Sequence, residues 1–310
     1  MISGGIDLGG TKIEARLFGP DLETLDMRRT ATPTQDFAGF IAGLADQVRW
    51  LEDRSGAGKA LPVGVGLPGL VDPQTGQAFA ANIPVSGHDL PGALADALGR
   101  PVPLINDCLA FALSEAHSGA GAGARSVIGL IMGTGIGAGH ALDGALPHRR
   151  NGSALEVGHI GLPAHALLAH DLPLRDCGCG RRGCYEAYVS GPGLAWLAAQ
   201  WLGEPVAAPE LARRAAEGDA GATAALELWA TLAGELLLAL QLSHDPDCIV
   251  LGGGLSQMPG VEDRLAAALD RTRLGTMRPP VIRIARHGDS SGARGAALHA
   301  RAQLTSGNTR

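Results

Sequence analysis

The 310-residue chain has few lysines and few aromatics, and no run of about 18 uninterrupted apolar residues. Lys12 and Lys59 are its only lysines, and neither sits in a G-x-x-x-x-G-K-[ST] loop, so a P-loop nucleotide site is excluded. The net charge is −6 and no basic stripe appears, which argues against a nucleic-acid partner, because such affinity rests on clustered cations. Four tryptophans, two tyrosines and five phenylalanines leave little for a stacking platform. The most apolar stretch, Leu232 to Leu242, is interrupted by Glu235, so no membrane partner is expected. The first residues run straight into a strand-like GGIDL without a charged and then apolar leader, which predicts a cytoplasmic protein with reduced thiols.

Glycine is what the chain has in excess, 46 residues against 18% charged residues. Without a collagen-like period, this predicts many tight turns. Residues 4–8 and 11–18 read as two strands joined by Gly9-Gly10, a dipeptide expected to supply positive φ in a two-residue hairpin. Phe37, Phe40, Ile41, Leu44, Val48 and Leu51 fall on one face of a helix over 36–53. A strand at 63–67, a Pro-Gly turn, a short helix at 91–98 and a strand at 102–106 follow. This alternation defines an α/β class.

The run GAGAGAR at 119–125 reads as a surface loop near a domain boundary. Beyond it, strand 126–132, turn Gly133-Thr134-Gly135 and strand 136–142 repeat the opening pattern, which suggests an internal duplication. The remainder reads as a loop-rich insert at 147–185, helices at 193–202 and 209–244, a strand at 248–251 and a final helix after Ser290. The expected domains are 1–118, joined by the C-terminal helix 290–310, and 119–289.

Cys177, Cys179 and Cys184 lie in CGCGRRGC, eighteen residues after His159 in EVGH. Three thiolates and one imidazole complete a tetrahedral Zn²⁺ shell with no open position, so the metal is expected to be structural. Cys108 and Cys248 sit in apolar surroundings and read as small buried residues. Two glycine turns could each be a structural hairpin or a phosphate loop, and their matching places in two repeated units favour phosphate. One is Asp7-Leu8-Gly9-Gly10-Thr11-Lys12, with a carboxylate placed to orient a Mg²⁺ shell; the other is Gly133-Thr134-Gly135. Gly252-Gly253-Gly254 follows a strand, where backbone can lie against a flat base. Asn106-Asp107 ends a strand before a helix, where an acid serves either as an N-cap or as a general base toward a hydroxyl. Glu156, His159 and Glu186 complete the polar set, with surface carboxylates as the alternative reading for the two glutamates.

Together these residues resemble the ROK family of bacterial sugar kinases, a branch of the actin-like ATPase and hexokinase superfamily. The resemblance spans nearly the whole chain: IDLGGTK at 6–12, GVGLPG at 64–69, IND at 105–107, GTGIGAG at 133–139, EVGHIGLP at 156–163, CGCGRRGCYE at 177–186, VLGGGLS at 250–256 and HGDSSGARGAA at 287–297. It implies two ribonuclease-H-like domains flanking a nucleotide and sugar cleft, with ATP and Mg²⁺ as cofactors and a zinc-bound loop. It places the catalytic aspartate on Asp107. Sugar contacts fall on Gly69, Asn106, Asp107, Glu156, His159 and Glu186. Nucleotide contacts fall on Asp7, Gly9, Gly10, Thr11, Lys12, Gly133, Thr134, Gly135, Gly253 and Gly254. The expected partners are a small-molecule sugar and ATP, and the expected assembly is a homodimer. Leu155 departs from the pattern, since many members have glycine before the glutamate of E-x-G-H.

Segments 80–87, 162–180 and 189–197 favour phosphorylation of N-acetyl-D-glucosamine at its 6-hydroxyl. The segments HGDSSGARGAA and GAGAGARSVIGLIMGTG resemble the family's fructokinases equally well, and glucose and N-acetylmannosamine are further alternatives. A sugar-sensing protein without turnover is the non-enzyme alternative.

Overall fold

The computed structural model describes residues 1–305. Packing divides the chain into two compact units: 1–119, 139–154 and 287 onward form the first, and 120–138 with 155–286 form the second. The sequence expectation had placed all of 119–289 together. Residues 139–154 and 287–289 instead pack with the first unit, because Gly139 lies against the carbonyl of Cys108 and the backbone N–H of His287 donates to Glu115.

The first unit opens with strands β1 (Ser3–Leu8), β2 (Lys12–Phe18) and β3 (Thr24–Ala31), then helix α1 (Phe37–Ser55) and strand β4 (Val63–Leu67). Short strands β5 (Leu70–Val71) and β6 (Ala78–Phe79), helix α2 (Leu90–Leu98), strand β7 (Leu104–Asn106) and helix α3 (Asp107–Ser118) follow. The sheet order is β3-β2-β1-β4-β7. The strands β1, β2 and β3 are antiparallel neighbours, and β4 and β7 run parallel to β1. Gly9 and Gly10 do not have positive φ, contrary to expectation. The register Leu8↔Ile13 leaves a four-residue loop, 9–12, closed by Gly9 N donating to Lys12 O at 2.9 Å, and this loop does not need the left-handed region.

Helix α1 forms where the apolar stripe predicts it. Asp36 caps it by accepting from Gly39 N at 2.7 Å, and Gly56 at φ 68° ends it. Its buried Phe40, Leu44, Val48 and Leu51 share a core with Ile6, Leu8, Val63 and Val65. The opposite face of β1 and β4 carries glycine for a different reason. A Cβ at Gly5 would overlap the carbonyl of Ala293, and one at Gly64 the carbonyl of Ala296. Both alanines lie on helix α10 (Ser291–Thr305), which therefore rests directly on strand backbone. Gly64 is thus a packing residue. The expected C-terminal helix runs through 305 among the described residues; 306–310 lie outside them.

The second unit contains β8 (Ser126–Met132), the start of β9 (Ile136–Leu142), helices α4 (Ala164–Ala169), α5 (Glu186–Val189), α6 (Gly191–Leu202), α7 (Ala208–Ala216) and α8 (Ala220–His244), strand β10 (Cys248–Gly252), helix α9 (Val261–Thr272) and strand β11 (Val281–Ile284). Its sheet order, β9-β8-β10-β11, with β10 parallel to both neighbours, repeats β2-β1-β4-β7. The duplication read from the two glycine turns is therefore present in the topology. The expected helix 209–244 is two helices, because Gly218 takes φ 93° and Asp219 then caps α8, accepting from Ala222 N at 3.0 Å. Helix α8 is long and apolar enough to span a membrane, yet two-thirds of its most apolar window is buried, with Trp229 at its centre fully enclosed. Cys108 and Cys248 are buried thiols, as expected.

Candidate active site

The catalytic candidates of the first unit sit at the ends of parallel strands. At the β7–α3 junction, Asn106 takes the N-cap position. Its Oδ1 accepts from Cys108 N at 2.8 Å and Leu109 N at 3.3 Å, and its Nδ2 donates to the carbonyl of Gly69 at 3.0 Å. Capping, read from sequence as the competing role of the acid, thus belongs chiefly to the amide. Asp107 is the first helical residue and also accepts from Cys108 N, at 2.8 Å. Gly69 is held at φ 95°, where a Cβ would strike the carbonyl of Phe79, so the carbonyl that orients Asn106 requires glycine behind it.

Asp7 stands at the end of β1. Burial, and then the charges of Asp107, Glu14 and Asp289, push it up to about 6, with Lys12 opposing. A carboxylate so disfavoured as an anion beside a second carboxylate is a donor set suited to a hard cation such as Mg²⁺. The 9–12 loop is held from outside. Thr32 Oγ1 donates to Gly9 O at 2.7 Å, and Thr32 N donates to Thr11 O at 3.1 Å. Thr11 and Lys12 are exposed.

In the second unit, the turn 133–135 closes through Gly133 N to Gly135 O at 2.9 Å, leaving Thr134 and Gly135 exposed. The Gly252–Gly254 run lies beside it. A Cβ on Gly133 would stand 3.8 Å from Gly254 N, and Gly253, at φ 80°, abuts the backbone of Met132. The two glycine segments assigned to the nucleotide thus form one backbone surface, with open space at Gly254.

His159, Cys177, Cys179 and Cys184 place their four donor atoms within 4.8 Å of one another. Cys179 Sγ lies 3.7 Å from Cys184 Sγ, and Cys177 Sγ lies 3.5 Å from His159 Nδ1. A tetrahedral Zn²⁺ with ordinary bond lengths requires edges of about 3.8 Å between sulfurs and about 3.6 Å from sulfur to nitrogen, so the donor set fits. Burial and the neighbouring thiols push Cys184 up to about 12, so ionising all three together calls for a divalent cation among them. His159 turns its Nδ1 toward the cysteines.

Leu155 does not disturb this region. It is buried and extends β9 by a bridge, Leu155 N to Ala138 O at 2.7 Å, and it does not adopt the positive φ that would call for glycine. Glu156 follows it, exposed, at the start of the turn that carries His159.

Several supporting residues had no role in the sequence reading. Arg175 stacks 4.2 Å over the ring of Trp196 and donates to Ala187 O, fastening the cysteine loop to α5 and α6. Asp289 bears on Asp7, and Asn82 lies 3.0 Å from where a Cβ of Gly10 would stand. HGDSSG and AANIPVSG were the only sequence signals for the last two.

This duplicated α/β fold, with paired glycine turns and a His/Cys₃ group, is the actin-like ATPase architecture of sugar kinases. A ROK family model matches residues 3–303, and the chain belongs to that family. N-acetyl-D-glucosamine kinases of Escherichia coli O139:H28 and Erwinia tasmaniensis are each 39% identical over 297 residues, 95% of this chain and 97% of theirs. The ROK hexokinase of Thermus thermophilus aligns with a TM-score of 0.86 at 34% identity, covering 99% of this chain and 100% of that one. A ROK family glucokinase from Streptomyces griseus in complex with glucose and AMPPNP aligns with a TM-score of 0.76 at 30% identity, over 97% of this chain and 100% of that one.

Proposed function

We propose that this protein transfers the γ-phosphoryl group of ATP to the 6-hydroxyl of N-acetyl-D-glucosamine. The observation that carries the reading is the β7–α3 junction. Asn106 caps the helix and bonds the carbonyl of Gly69, which supports reading the Asp107 carboxylate, at the helix start, as the group that acts on a hydroxyl. The identity with N-acetyl-D-glucosamine kinases over 95% of the chain supports the choice of sugar.

In this mechanism Asp107 accepts the proton of the 6-hydroxyl as that oxygen bonds to the γ-phosphorus and the bond to the ADP oxygen breaks. Such a base contributes about 10² to 10⁴ in rate. Gly69, Asn106, Glu156, His159 and Glu186 orient the sugar. The loops Gly9-Gly10-Thr11-Lys12 and Gly133-Thr134-Gly135 offer N–H groups, hydroxyls and an ammonium to the phosphates, and Gly253 and Gly254 offer a flat backbone to the base. Asp7 would hold Mg²⁺, which neutralises phosphate charge when bound. His159, Cys177, Cys179 and Cys184 would hold a structural zinc that fixes the imidazole. We further infer a homodimer and a cytoplasmic location, where the thiols of such a site stay reduced.

The test is kcat/KM with ATP across N-acetyl-D-glucosamine, N-acetyl-D-mannosamine, glucose and fructose. The reading expects N-acetyl-D-glucosamine to lead. A preference for fructose or glucose overturns the choice of sugar, and no turnover with any of them overturns the kinase reading.

A further inference from the structure

The carboxylate of Glu186 faces two ways. Its Oε1 lies 3.7 Å from Cys177 Sγ, in the cysteine loop. Its Oε2 accepts a hydrogen bond from the backbone N–H of Ile136 at 2.9 Å. Ile136 directly follows the turn Gly133-Thr134-Gly135, and a Cβ on Gly135 would come 2.9 Å from the same Oε2. The carboxylate therefore sits against the turn itself.

The other end of the turn is gripped by the same stretch of chain. Gly191 N, at the start of α6, donates to Gly133 O at 2.7 Å. Between Glu186 and Gly191 lie only α5 and Ser190. Ser190 is itself fixed as the N-cap of α6, accepting from Gly193 N at 3.2 Å. Residues 186–191 thus hold both ends of a turn that has little side-chain packing of its own. A two-glycine turn so lightly packed has many conformations to lose on gripping phosphate, and an anionic acceptor on Ile136 N–H removes some of them beforehand.

We propose that Glu186 is a positioning residue for the nucleotide turn as well as a sugar contact, so that sugar and nucleotide affinities are coupled through one carboxylate. This rests on the assignment of 133–135 to nucleotide phosphate made above. Reciprocity then requires that a sugar that orders Glu186 strengthens nucleotide binding by the same factor as the nucleotide strengthens sugar binding.

The experiment is calorimetric titration of the zinc-loaded protein with Mg·ADP in the absence of sugar and, separately, with N-acetyl-D-glucosamine, for the wild type, Glu186→Ala, Glu186→Gln and Glu156→Gln. Loss of a charge-assisted hydrogen bond that orders the turn is expected to weaken ADP about tenfold in Glu186→Ala. Glu186→Gln, whose amide oxygen still accepts from Ile136 N–H, is expected to keep ADP affinity while losing sugar affinity. Glu156→Gln is expected to bind ADP as the wild type does. A Glu186→Ala protein that binds ADP normally but sugar poorly overturns the coupling and leaves the sugar assignment standing. If Glu186→Ala loses its metal or its fold, Glu186→Gln decides, and equal loss of both affinities in that variant overturns the proposal. A wild-type protein that does not bind ADP removes the nucleotide assignment on which the proposal rests.

Discussion

Replacing Asp7 with asparagine is predicted to stabilise the ligand-free protein while impairing its chemistry. The carboxyl of Asp7 titrates near 6 in the fold against an ordinary 3.8. The folded state therefore binds the proton more tightly than the unfolded chain does. Well below pH 3.8 the group is protonated in both states and contributes nothing. Between about 4 and 6 the folded state holds more protons, so stability from this group falls as pH rises. Above about 7 the full penalty is present, and the gap between 3.8 and about 6, at 1.36 kcal/mol per pH unit, makes it about 3 kcal/mol. The neutral amide of the Asp7→Asn variant carries no such penalty. The assay is urea unfolding of both proteins from pH 4.5 to 8 without metal, compared at each pH so that other titrating groups cancel. The variant's advantage should rise from about 1 kcal/mol at pH 4.5 to about 3 kcal/mol at pH 8, and Mg·ADP should narrow it by stabilising the wild-type carboxylate. An advantage that is flat with pH, or a variant less stable at pH 8, refutes the reasoning.

Cys179→Ser is expected to lower zinc content and to weaken sugar affinity and thermal stability together, since metal-binding energy is folding energy; sugar affinity that survives in metal-free protein contradicts this. Gly253→Ala meets the backbone of Met132 at a positive φ and is expected to destabilise by about 2 kcal/mol or more, whereas Gly254→Ala meets nothing and should change stability little; thermal melts of the pair decide. Asn106→Ala removes a cap and the bond to Gly69 and is expected to cost about 1–2 kcal/mol with a raised sugar KM, measured by urea unfolding and steady-state kinetics.

What the sequence disclosed was set by how local its causes are. The α1 stripe, the Gly133–Gly135 turn and the His/Cys₃ spacing are short-range patterns and each is found in place, whereas Gly9-Gly10 does turn the chain but within a four-residue loop and not the expected two-residue hairpin. Strand β3 was invisible because it is an edge strand with mostly exposed residues and no alternating apolar face. Gly64, part of the motif GVGLPG, is glycine because α10, more than two hundred residues later, lies on its backbone. The grip of Glu186 on Ile136 spans fifty residues, and no spacing rule announces such a pair. The units interleave for the same reason: 139–154 belong with the first unit through contacts that no local composition marks.

Asp107 as the base of a sugar kinase stands or falls on the steady-state turnover of Asp107→Asn with ATP and N-acetyl-D-glucosamine, with zinc content and sugar affinity measured on the same preparation. The expected result is a fall in kcat of about 10² to 10⁴ with zinc and sugar affinity retained. A variant that keeps near-normal kcat contradicts it.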